Sequence, residues 1–162
     1  MRSIALAALF NAASITNALY FSISSLTAND IFQPVESHNI TFTVSDPTAV
    51  FEQGGSGAAD CAVAWMACDI PSCWKKCSAN AYYTRITSET YKGADNFSLD
   101  IWQEFVYELA NHNNATISIT EEGAYTCTRD ERSTVCMLEN MQSVNRTLQT
   151  YYGGASPPGA IC

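Results

Sequence analysis

Asn39-Ile40-Thr41-Phe42-Thr43-Val44-Ser45 is the run that decides the fold class. Ile40, Phe42 and Val44 alternate strictly with Asn39, Thr41, Thr43 and Ser45, the two-residue period of a strand with one dry face and one wet. Asp46-Pro47 ends it, because proline has no N–H for a ladder and pushes the preceding residue away from regular structure. Asn39 also opens an Asn-Ile-Thr glycosylation sequon. A glycan must face water, so the sequon and the alternation agree on which face is wet.

The same period recurs on both sides. Leu19 to Ser24 places Phe21 and Ile23 on one face and reads as the opening strand, and residues 31–38, polar and holding Pro34, read as a surface connection. Ala81 to Ile86 is rich in aromatic and β-branched residues, and Lys92-Gly-Ala-Asp-Asn96 reads as a turn. Phe97, Leu99 and Ile101 alternate, but Trp102, Phe105, Val106 and Leu109 fall at helical spacing, so 104–110 reads as strand or as a short helix. His112-Asn-Asn-Ala115 predicts a turn, followed by strands near 116–120, 124–128, 134–138 and 143–148. Tyr151 to Cys162, rich in Gly and Pro, reads as a mobile tail. Short alternating runs separated by turn signals predict an all-β chain, an antiparallel β-sandwich or barrel, with one domain over 19–148 and a tail over 149–162.

The chain has seven cysteines, four of them crowded into Cys61-Ala-Val-Ala-Trp-Met-Ala-Cys-Asp-Ile-Pro-Ser-Cys-Trp-Lys-Lys-Cys77. This density predicts a disulfide staple covered by Trp65 and Trp74. An odd count implies three bridges and one leftover thiol, which leaves on the order of 100 arrangements. The expected set is Cys61–Cys77, Cys68–Cys73 and Cys127–Cys136, the last flanking the charged hairpin tip Arg129 to Ser133. Cys162 is then free or joins two chains into a dimer. The competing arrangement pairs Cys162 with Cys68 or Cys73, and a zinc site formed by Cys61, Cys68, Cys73 and Cys77 is the sharper alternative.

Met1-Arg2, the apolar run Ile4 to Phe10 and the small residue Ala18 have the pattern of a secretory signal peptide over 1–18. Its apolar run is far shorter than the ~20 residues that span a bilayer. Four sequons, at Asn39, Asn96, Asn114 and Asn145, agree with a secreted, extracellular glycoprotein. The net charge is −8, and loss of Arg2 with the leader takes it to −9. Such a surface repels nucleic acid and anionic membranes.

Catalytic constellations are thin. His38 and His112 are the only groups that titrate near neutrality without help, and both sit in polar, turn-like sequence that predicts solvated surface histidines. Carboxylate pairs for glycoside hydrolysis can be drawn from Asp100, Glu104 and Glu108, or from Glu121 and Glu122, but acids in turns and on wet faces are ordinary. Asp30, Asp46, Asp60, Asp69 and Asp95 fall in predicted loops and offer oxygens for calcium, without EF-hand spacing. No cofactor or metal is expected. Trp102, Tyr151 and Tyr152 are the expected exposed aromatics for stacking on a sugar or a partner protein.

Phe21-Ser-Ile-Ser, Ile40-Thr-Phe-Thr-Val-Ser-Asp-Pro47, Cys61-x-x-x-Trp65, Pro71, Trp74-x-x-Cys77, Phe97-x-Leu, Tyr125-x-Cys127 and Cys136 follow one another in an order that resembles the fungal secreted proteins related to the major Alternaria allergen. The resemblance spans about residues 20 to 145. It implies an all-β sandwich or barrel with core bridges at Cys61–Cys77 and Cys127–Cys136. It also implies an allergen, elicitor or effector role outside the cell, binding to host defence proteins of the thaumatin-like class, and no enzyme activity. Cys68, Cys73, Cys162 and the sequons depart from that pattern. The expected function is a secreted, non-enzymatic binder of a host extracellular protein. The alternatives are a carbohydrate- or small-ligand-binding sandwich and an antimicrobial killer-type toxin.

Overall fold

The computed structural model describes residues 19–49, 57–67, 69–78, 82–107, 109–154 and 156–162. The expected leader over 1–18, Cys68 and Glu108 lie outside the described residues. Strands run in the order β1 (Tyr20–Ile31), β2 (Ser37–Ser45), β3 (Ala59–Met66), β4 (Lys75–Lys76), β5 (Tyr82–Ile86), β6 (Asn96–Tyr107), β7 (Leu109–Thr120), β8 (Tyr125–Arg129), β9 (Ser133–Leu138), β10 (Val144–Thr147) and β11 (Gln149–Tyr152). They form two antiparallel sheets. The first has the order β3-β2-β1-β9-β8, with β10 also paired to β1, and the second has the order β11-β7-β6-β5-β4. This is the sandwich of the two expected all-β architectures. The described strands do not close into a barrel.

The inner faces come from the alternation. In β2 the positions His38, Ile40, Phe42 and Val44 are buried and those between them half-buried. In β1 the buried set is Phe21 and Ile23, then Leu26, Ala28 and Asp30. The phase changes because the β1–β2 register shifts between Ser24 and Thr27, where Ser25 adopts φ of 51°. One extra residue there is a β-bulge. It delivers Asp30, rather than Ile31, to the interior. Across the gap, Tyr82, Ile86, Phe97, Leu99, Ile101, Ile117 and Ile119 complete the core. Phe21 meets the Tyr82 ring edge-on with centroids 6.0 Å apart.

Of the two readings open for 104–110, strand is found on both sides of Glu108: 104–107 end β6 and 109–110 open β7, with Glu104 paired to His112 and Val106 to Ala110. Two expectations change. The predicted turn His112-Asn-Asn-Ala115 lies inside β7. Its inward positions are polar but satisfied: Asn113 donates to Gln103 at 3.0 Å and accepts from Thr150 at 2.7 Å. The tail over 149–162 is not free. Gln149 to Tyr152 pairs with β7, and Trp74 forms a bridge with Ile161.

Cys61–Cys77 ties β3 of the first sheet to the end of β4 in the second, and Cys127–Cys136 joins directly opposed residues of β8 and β9. The third bridge is Cys73–Cys162, not the expected Cys68–Cys73. The reason is the backbone. The Trp74 N–H donates to Ala160 and the Cys162 N–H donates to Trp74, both at 2.9 Å, which brings the Cys73 and Cys162 Cα atoms to 5.7 Å. Cys162 is therefore not available to link two chains. The zinc alternative also fails, since Cys61, Cys73 and Cys77 are all in bridges.

Truncating a core ring should separate interior from surface. Phe21→Ala is expected to lower the unfolding free energy by about 3–5 kcal/mol, while Val106→Ala, at a strongly exposed position, should change it by under ~0.5 kcal/mol. Urea titration with all three bridges intact measures the difference.

Candidate functional site

Asp30 is a carboxylate held inside an apolar sandwich, and such a group must collect donors or give up its charge. It collects three. His38 Nδ1 donates to Oδ1 at 2.7 Å, the Tyr91 hydroxyl donates to the same oxygen, and the Ala94 N–H donates to Oδ2 at 2.7 Å. These donors come from β2 and from the β5–β6 connection, so one side chain clasps the first sheet to a loop of the second. Tyr125 adds a second fastening from β8, donating to the Ala94 carbonyl at 2.7 Å.

Aromatic rings close around the clasp. His38 stacks on Trp65 with centroids 4.9 Å apart, and Tyr91 meets Trp65 edge-on at 4.8 Å. With Nδ1 committed to Asp30, the His38 ring presents Nε2 toward Glu36, whose Oε1 is 3.4 Å away. A cleft of about 390 Å³ opens here, lined among others by Asp30, Glu36, His38, Trp65, Tyr91 and Asp95. Its rim includes Phe32 and Ile70. Phe32 and Ile70 are 46% and 42% exposed. The Ala67 N–H donates to Glu36 and the Phe32 N–H to Arg132, which hold this rim together.

Burial sets the proton chemistry. It pushes the Tyr91 hydroxyl far above the ordinary tyrosine value of 10.0, and the hydrogen bond and charge of Asp30 push the same way. Tyr125 and Tyr82 are raised by burial first and then by neighbouring carboxylates, Asp30 for Tyr125 and Asp46 for Tyr82. Burial also lifts the Asp46 carboxyl above its ordinary range against the opposing bonds from Thr48.

The expected site residues scatter. His38 and His112 were expected at the surface as solvated side chains, yet both are buried. His112 lies against Trp102 with ring centroids 3.7 Å apart and donates from Nδ1 to the Gly154 carbonyl at 2.6 Å. Trp102, expected as an exposed platform, is only 7% exposed because His112 covers one face and Trp74 approaches edge-on. Tyr151 and Tyr152 are exposed as expected, and Tyr151 stacks on His112 at 5.0 Å. Of the calcium candidates, Asp30 and Asp95 line the same cleft but are engaged by the clasp and by Arg129, and Asp60 in β3 accepts from Thr43. Among the described residues no group of three His, Cys, Asp or Glu side chains could hold a metal ion. Of the paired carboxylates, Asp100 already accepts from Arg85, Thr87 and Thr116, and Glu121 binds Arg129. Sequon residues Asn96 and Asn145 are exposed, and Asn39 and Asn114 half-buried.

Sequence reading missed the clasp. His38 is in phase with Ile40, Phe42 and Val44, a signal that was available. Asp30 and Tyr91 carried none, because the bulge hides the phase of β1 and Tyr91 lies between strands. Compared with known proteins, the chain matches no family model and no curated protein.

Two outcomes test the clasp. Asp30→Ala strands the donors of His38, Tyr91 and Ala94 and is expected to cost about 3 kcal/mol or more, whereas Tyr91→Phe, which leaves Asp30 two donors, should cost about 1 kcal/mol in the same denaturant titration. In the second, unfolded tyrosines release protons from about pH 10 while folded Tyr82, Tyr91 and Tyr125 keep theirs. Above that pH the native state binds more protons than the unfolded state, so stability should be full below pH 10 and fall as pH rises beyond it. Melting temperatures between pH 8 and pH 12 read this out.

Proposed function

We propose that the protein is a secreted, non-enzymatic binding protein whose recognition end is the Phe32 and Ile70 rim around the acidic cleft, and that its partner is a host extracellular defence protein. The observation that carries this reading is the grouping of exposed apolar side chains at a rigidly clasped end of the sandwich. Apolar clusters rimmed by charge mark interaction sites on otherwise polar surfaces. Among the described residues, Asp30, Glu36 and Asp95 line the same cleft against the single cation Lys92, and the whole chain carries −8, so a partner with a basic face gains both steering and register. The motif likeness to the Alternaria allergen-related proteins supports a partner of the thaumatin-like class and an effector or allergen role. Three bridges support life in an oxidising extracellular space.

A carbohydrate-binding role has one observation of its own. Trp102, His112 and Tyr151 form a stacked ladder, and its outer ring, Tyr151, is open to solvent beside Tyr152. The platform in that reading is Tyr151, since Trp102 is covered.

The mature protein, immobilised and exposed to host extracellular fluid, is expected to retain a basic host protein identifiable by mass spectrometry. Phe32→Ser combined with Ile70→Ser should weaken that complex by about 30-fold or more, the scale of losing a central apolar anchor, and Tyr152→Ser should leave it unchanged. Retention that survives the double variant but fails with Tyr151→Ala, or binding only to chitin or glucan, would transfer the function to the ladder.

A further inference from the structure

We infer that Cys73–Cys162 is a thiol-exchange site, taking a small-molecule thiol of the glutathione class, and that its opening lifts a strap off the outer face of the second sheet. This rests on the bridges and the strap alone, independently of the binding reading above.

The three bridges differ in access. Cys61 and Cys77 are buried, and Cys136 is fully buried beside half-buried Cys127. Cys162 is exposed and Cys73 half-buried. Exchange requires a thiolate to reach a sulfur along the S–S axis, so access selects this bridge.

What the bridge holds is equally distinct. Gly153, Gly154 and residues 156–162 lie over the outer face of the second sheet, away from the core. Their fastenings are polar: Trp74 Nε1 donates to the Pro158 carbonyl at 2.9 Å, His112 donates to the Gly154 carbonyl, the Gly153 N–H donates to Asn111 Oδ1 at 3.0 Å, and Trp74 exchanges backbone bonds with Ala160 and Cys162. Beneath them Trp74, Tyr83 and Trp102 form a small apolar cluster separate from the core, with Arg85 stacked on Trp74 at 4.4 Å. Pro157 is the strap residue that is buried.

The chemistry balances with two thiols. One thiolate attacks the exposed Cys162 sulfur, forming a mixed disulfide and releasing Cys73 as a thiolate. A second thiolate attacks the sulfur of the small thiol in that mixed disulfide, releasing the Cys162 thiolate and leaving the oxidised small-molecule disulfide. The protein gains two electrons, and its two thiolates take protons from solvent. The strap then keeps only its non-covalent fastenings, and on its release Trp74 and Trp102 gain access to water or to a ligand ring.

The test titrates the full mature chain with glutathione, alkylates at intervals and maps the modified cysteines by mass spectrometry, following tryptophan emission in parallel. Labelling at Cys73 and Cys162 at least about tenfold faster than at the other four bridged cysteines, with a red shift of emission and a retained cooperative melt, is the expected result. Simultaneous opening of Cys61–Cys77 or Cys127–Cys136, or selective opening with unmoved emission, would overturn the inference. Cys73→Ser with Cys162→Ser supplies the second arm. It is expected to fold and to show the red-shifted emission without glutathione. A double variant that does not fold would make the bridge a structural staple and also overturn the inference.

Discussion

The carboxylate of Asp30 constrains more of this molecule than any other single group. A charge cannot sit between two apolar sheets without donors, and the donors it draws come from β2 and from the β5–β6 connection, which Tyr125 of β8 fastens in turn through the Ala94 carbonyl. One end of the sandwich is thereby closed by hydrogen bonds as well as by the packing of Trp65 and Tyr91. A polar closure is directional, so it fixes where the loops stand. The cleft and its apolar rim are consequences of that fixed geometry.

The opposite arrangement holds on the outer face of the second sheet. There a second aromatic cluster, too small to stand as a core, is covered by a strap tied down at Cys162. Each end of the fold thus uses a different means to order irregular chain: a buried charge at one, a covalent bond at the other. The Cys61–Cys77 bridge between the sheets links the two regions, because Cys77 follows β4 and Cys61 lies on β3, the strand that carries Trp65 into the cleft.

The sandwich was legible wherever inward positions were apolar. Ile40, Phe42 and Val44 announced β2, and Phe97, Leu99 and Ile101 announced β6. It was illegible where inward positions are polar and satisfied by one another: Gln103 and Asn113 made a buried stretch of hairpin look like a turn. The bridge pattern misled for a related reason. Four clustered cysteines suggested local pairing, but strand pairing sets which sulfurs meet, and the backbone exchange between Trp74 and Cys162 is a long-range contact without a local signature. The tail read as mobile because glycine and proline report the absence of regular structure and say nothing of a covalent anchor. The clasp itself depended on the bulge at Ser25, and no pattern of hydrophobicity marks where one residue is inserted.

The most direct test of the account is hydrogen–deuterium exchange on the mature protein with and without a retained host extracellular protein. The expected result is new protection over residues 31–38, 65–67 and 91–95, the clasped end, with β11 and the strap unchanged. Protection confined to β11 and the strap, with the clasped end exchanging as in the free protein, would contradict it.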